Sequence, residues 1–151
     1  MRHLSVLHEA MDIVGTRIQH DRFCSCLRSA IRVEERSRLL IDEMKGRRSG
    51  SGTAASGIET LKQAVEMLRL ELDLLLRTLS GAQREAAQSR IGRLSRLTDQ
   101  IDSSMRELEP SLAAGRGYRR ALRHLHRIGW TVRSWKIQCT KMARTLYLPA
   151  E

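Results

Sequence analysis

Residues Ile58–Leu79, IETLKQAVEMLRLELDLLLRTL, decide the fold. Ile58, Leu61, Val65, Leu68, Leu72, Leu75 and Leu79 advance by alternating steps of three and four through three heptads. That spacing returns each residue to one side of an α-helix, so the seven form a packing seam. Leu70, Leu74 and Leu76 widen the apolar surface beyond what a two-stranded coiled coil uses. A helix of this kind needs more than one neighbour. Its surplus leucines, Leu70 and Leu74 above all, make a second chain a candidate partner. Ser80-Gly81 marks the stop.

Downstream, Ala87, Ile91, Leu94, Thr98, Ile101, Met105 and Leu108 repeat the same alternation, which predicts a helix from about Ala82 to Leu108. Glu109-Pro110 is expected to close it, because the residue before a proline resists helical dihedrals. The turn between these two helices is short, so they are expected to run antiparallel. Upstream, GRRSGSGTAASG (residues 46–57) holds four glycines and three serines and reads as a flexible linker. Before it, Leu4, Leu7, Met11, Val14 and Ile18 open the chain as an amphipathic helix. A second helical stretch runs from about Asp21 to Met44. The charged run Val33-Glu34-Glu35-Arg36-Ser37-Arg38 blurs its stripe, and His20-Asp21 is a mild break. One long helix and a helical hairpin both fit residues 1–45.

The last quarter differs in charge. From Ser111 to Ala150 there is no Asp or Glu, while Lys and Arg occur nine times. Arg116, Arg119, Arg120, Arg123 and Arg127 stand at three- and four-residue intervals, a ridge more than two turns long. Tyr118, Leu122, Leu125, Val132, Trp135, Cys139, Met142 and Leu146 supply an apolar series, so this is a basic amphipathic helix running to about Leu148. Trp135 falls on the apolar stripe and suits a core. Trp130 lies about 140° away, where it suits a partner groove, a nucleobase or a lipid headgroup layer. The whole chain carries a net charge of +10 over 151 residues, which biases partners toward nucleic acid, anionic lipid or an acidic protein.

Chemistry is thinly represented. No G-x-S-x-G, phosphate loop or dinucleotide fingerprint occurs, so no cofactor and no small-molecule substrate is expected. Cys24-x-Cys26 and His124-x-His126 invite a metal reading. Residues two apart on a helix point about 200° from each other, so neither pair forms half of a site and no metal is expected. The odd cysteine count fits reduced thiols, and no apolar run of membrane-spanning length or signal-peptide character is present. An intracellular location, cytoplasmic or nuclear, is the expectation.

These features predict an all-α protein: a single-domain antiparallel bundle of four to five helices with coiled-coil-like heptad packing. An N-terminal helical segment 1–45 is joined by the linker to a bundle core 58–148. The packing or oligomer seam is Leu61, Leu68, Leu72, Leu75 and Leu79. The anion- or partner-binding set is Arg116, Arg119, Arg120, Arg123, Arg127 and Trp130. The expected function is a non-enzymatic interaction or scaffold protein that self-associates or docks a helix of another protein. Binding of nucleic acid through the basic helix is the alternative, and binding of an anionic membrane surface the second.

Overall fold

The computed structural model describes the backbone of residues 2–46, 51–113 and 117–147, and the side chains of 15–46, 56–112 and 117–147. The protein is all-α. Its described helices are α1 (Arg2–Gly46), α2 (Ser51–Thr78), α3 (Gly81–Ala86), α4 (Gln88–Ala113) and α5 (Tyr118–Tyr147), which pack on one another around one continuous core. Among the described residues no helix is long and apolar enough to cross a membrane.

The four long helices bury the same kind of stripe. In α2 the seven seam positions are all buried, Leu61, Leu68 and Leu75 completely. Leu72 is nearly so, and Leu79 is covered just past the helix end, where its N–H donates to the Leu76 carbonyl. In α1 the buried series is Gln19, Phe23, Cys26, Ala30, Val33, Ser37, Leu40 and Met44, a strict alternation of four and three. The N-terminal segment is one helix. The stripe passes His20-Asp21 and the charged run without losing phase, because Val33 and Ser37 hold the buried positions there. Ser37 satisfies its own hydroxyl on the Glu34 carbonyl at 2.8 Å, so a polar residue sits in the stripe at little cost. α5 buries Ala121, Leu125, Ile128, Val132, Trp135, Cys139 and Met142 in the same rhythm.

Two expected boundaries move. The linker is shorter than residues 46–57, since α2 already begins at Ser51; residues 47–50 lie outside the described residues. Small residues offer little local resistance, and packing on α1 outweighs the poor helix propensity of glycine. A Cβ at Gly57 would stand 2.8 Å from Leu40 Cδ1, so α1 and α2 meet closely there. The second shift is at Pro110, which lies inside α4 rather than ending it. Proline removes the donor for the Arg106 carbonyl. That side of the helix is exposed to water, while Leu108 and Ser111 are buried on the other and hold the last turn to the core.

Neighbour relations follow from paired contacts. α1 packs on α2 and α5, α4 packs on α5, and α2 meets α4 more lightly. Ion pairs span that looser gap: Lys62 with Glu109 at 3.6 Å, Arg69 with Asp99 at 3.4 Å, and Arg69 with Asp102. At the opposite corner, Gln19 is buried and donates to the Thr78 carbonyl and to Gln83 Oε1, both at 2.7 Å, while Tyr147 donates to Gln19 Oε1 at 2.8 Å. Gln83 belongs to the Ser80 capping box that starts α3, and Tyr147 meets Phe23 edge to face. One glutamine thus ties α1, the end of α2, α3 and the end of α5.

Leu68 is completely buried mid-seam. Leu68→Ala is therefore expected to cost about 2–5 kcal/mol of unfolding free energy, read from denaturant midpoints. An unchanged midpoint would contradict the seam.

Candidate functional site

The fold positions α5 so that its inner stripe is used up by the core. Its outward line, Arg119, Arg123, His126, Trp130, Arg133, Ile137, Lys141 and Arg144, is exposed at every position. The line advances by threes and fours and runs about 38 Å. It contains no carboxylate. Trp130 is 71% exposed and Ile137 54%, whereas Trp135 is fully buried. The indole N–H of Trp135 donates to Thr98 Oγ1 at 3.1 Å. The two tryptophans therefore serve opposite faces of one helix.

The predicted basic set divides into two places. Arg119, Arg120, Arg123 and Arg127 line one open groove of about 960 Å³ between α4 and the first turns of α5. Arg116 lies outside the described residues. A residue that sequence reading passed over, Arg106 of α4, joins the other four there. Nothing in the sequence marks it, since it joins the others only through the packing of α4 on α5. Trp130 is not in this groove. It lines a smaller one of about 240 Å³ between α1 and α5, with Glu34, Ser37, Arg38, Asp42, His126 and Arg133.

Glu34 is the charged centre of that second place, and the charged run over residues 33–38 gives no sign of it in the sequence. Its carboxylate is mostly buried and takes Lys136 Nζ at 2.5 Å, with Arg133 Nε and Arg38 at 3.4 Å each. The hydrogen bond from Lys136 holds the carboxyl below its ordinary range, with Arg133 adding to it, against the opposing effect of burial. Among the described residues the remaining α5 cations, Arg119, Arg120, Arg123, Arg127, Lys141 and Arg144, have no carboxylate within ion-pair distance. Compensation thus reaches α5 from α1 at its middle and is missing at its start.

The seam leucines are interior groups, with Leu61, Leu68, Leu72, Leu75 and Leu79 all covered within one chain. On the outer side of α2, Leu70 is 51% and Met67 41% exposed, and Leu74 is half-buried. The Cys-x-Cys and His-x-His pairs are split as helical geometry requires. Cys26 and His124 are buried, Cys24 is half-buried and His126 exposed. Burial pushes the Cys139 thiol up to about 12 and the Cys26 thiol higher still, with Cys139 and Glu71 adding to the effect on Cys26.

Two outcomes follow. Thiol labelling of the native chain should consume one equivalent quickly, at Cys24, and three after denaturation; fast labelling of Cys26 or Cys139 would contradict their burial. Glu34→Gln should cost about 1–3 kcal/mol at neutral pH. Since the folded carboxyl lies below the unfolded one, the contribution is complete above the ordinary value of 4.5 and is lost as the pH falls through the depressed one. Melting curves of the two forms should therefore converge in acid. The chain matches no family model, no curated protein and no solved structure.

Proposed function

We propose that the chain is a non-enzymatic interaction module: a single-domain antiparallel bundle, packed in heptad register, that docks an acidic amphipathic helix of another protein on the outward line of α5. The bundle part of this reading rests on the order of contacts. Gln19 meets Thr78 while Arg22 pairs with Glu71 at 3.7 Å, so α1 ascends as α2 descends. Lys62 with Glu109 and Arg69 with Asp99 give the same reversal for α2 and α4. Trp135 with Thr98 and His124 with Glu107 give it for α4 and α5. Tyr147 with Gln19 and Arg133 with Glu34 give it for α5 and α1.

The observation that carries the docking reading is the pair Trp130 and Ile137. They are exposed, stand one heptad apart, and have cations before, between and after them. A partner helix with apolar residues seven apart would bury both, and acidic residues beside them would meet Arg123, Arg133, Lys141 and Arg144. Self-association through this line would bring two basic faces together in a chain of net charge +10. The partner is therefore a different, acidic chain. Leu70 and Met67 leave a smaller apolar patch on α2 for contact between copies. Nucleic acid is the second reading, favoured by the absence of any carboxylate on the same line.

Trp130 is the exposed tryptophan, so its emission reports on this face. Titration with an acidic amphipathic peptide is expected to shift that emission to the blue. Trp130→Ala and Ile137→Ser should each weaken binding about tenfold or more, as anchors do. Binding of single-stranded oligonucleotide with no peptide binding would replace this reading by the second. Binding to anionic vesicles alone would replace it by a membrane one.

A further inference from the structure

The groove between α4 and the start of α5 has chemistry of its own. We propose that it binds a small ligand carrying a cluster of phosphate groups. Arg119, Arg120, Arg123 and Arg127 of α5 line it together with Arg106 of α4. The carboxylate lining it is Glu107, and that group already faces His124 Nε2 at 3.4 Å. Guanidinium forks match phosphate oxygens two at a time. One phosphate brings a charge of about −2 at neutral pH, too little to balance five arginines. Two or three linked phosphates balance them, and about 960 Å³ accommodates a ligand of that size.

Two further features point the same way. His124 lines the groove yet is itself buried, and its Nδ1 has no hydrogen-bond partner. A buried polar atom left without a partner is uncommon and costly in a folded chain, and a small turn of the ring that brings it to a bound oxygen would relieve it. The groove also receives the beginning of α5. Ala121 N–H donates to the Gly117 carbonyl, so the N–H groups of the turn before it have no helical acceptor. Gly117 has no side chain to cap them, and a Cβ there would collide with the Ser111 carbonyl. No acidic residue lies in the first turn. Among the described residues nothing caps the positive end of this 30-residue helix, whose first turn carries Arg119 and Arg120.

Tripolyphosphate titrated calorimetrically into the full chain tests this. One saturable site is expected, and inorganic phosphate should bind far more weakly. Arg106→Gln with Arg120→Gln should weaken the site about tenfold or more, while Lys141→Gln with Arg144→Gln, the same loss of charge outside the groove, should leave it within about twofold. Glu107→Gln removes the opposing carboxylate and should tighten binding. Equal weakening by both double variants, uptake at many sites, or equal affinity for inorganic phosphate would overturn the proposal. Vesicles containing a phosphatidylinositol bisphosphate identify the source. Capture abolished by the groove variant assigns the cluster to a lipid headgroup, and capture unaffected by it, without tripolyphosphate binding, overturns the groove. Trp130→Ala should leave tripolyphosphate binding unchanged, so failure of helix docking and failure of this site are told apart.

Discussion

The seating of Trp135 is the constraint on which the outer surface depends. Its ring is completely buried, and its one polar atom is satisfied by Thr98, whose own hydroxyl donates to the Leu94 carbonyl at 2.8 Å. Rolling α5 by one residue, about 100°, would expose the largest core side chain and break its hydrogen bond to Thr98, the exposure alone a penalty of kcal/mol size. The rotation of α5 is therefore fixed from inside. Trp130 follows as a matter of geometry. Five residues earlier is about 140° around the helix, which is the solvent side.

Rotation alone does not set how far each helix slides along the next. Apolar seams of period seven can slip by a whole heptad and still bury leucines, so register needs something less forgiving. Gln19 supplies it. Its amide and carbonyl meet the end of α2, Gln83 of the α3 capping box and the last turn of α5 at once. A slip of any one of these would leave buried polar atoms unpaired. Trp135 thus holds the angle of α5, and Gln19 holds the axial position of its neighbours.

Much of this was legible in the residues and some was not. The stripe of Ile58–Leu79 announces itself because its leucines are all large, and the 140° between the tryptophans follows from counting. The stripe of α1 hides, because Gln19, Cys26, Ala30 and Ser37 occupy half of it and none is a strong apolar marker. Pro110 misleads for a different reason. Proline reports a missing donor, but not that Leu108 and Ser111 are pinned to a core that carries the helix past it. The arginine groove shows the general limit. Arg119, Arg120, Arg123 and Arg127 can be grouped by spacing, whereas Arg106 joins them only through the packing of α4 on α5, which no local pattern encodes.

The charge distribution along α5 differs between the two surfaces. Like charges three and four apart on a helix repel by a few tenths of a kcal/mol per pair, so the start of α5 carries a standing cost. Nothing on α5 offsets it, since α5 has no acidic residue. At mid-helix Glu34 reaches across from α1 and takes Arg133 and Lys136. At the start the groove is lined by Glu107, and that acid faces His124. The exposed apolar anchors, Trp130 and Ile137, stand beside the compensated part. Acidic residues of a partner helix covering them would pair with Arg123, Lys141 and Arg144, which offsets the water those groups would lose. The uncompensated part has few exposed apolar groups to offer and an excess of forked donors. Its chemistry favours a compact, highly charged anion, which replaces the lost water with bonds of its own.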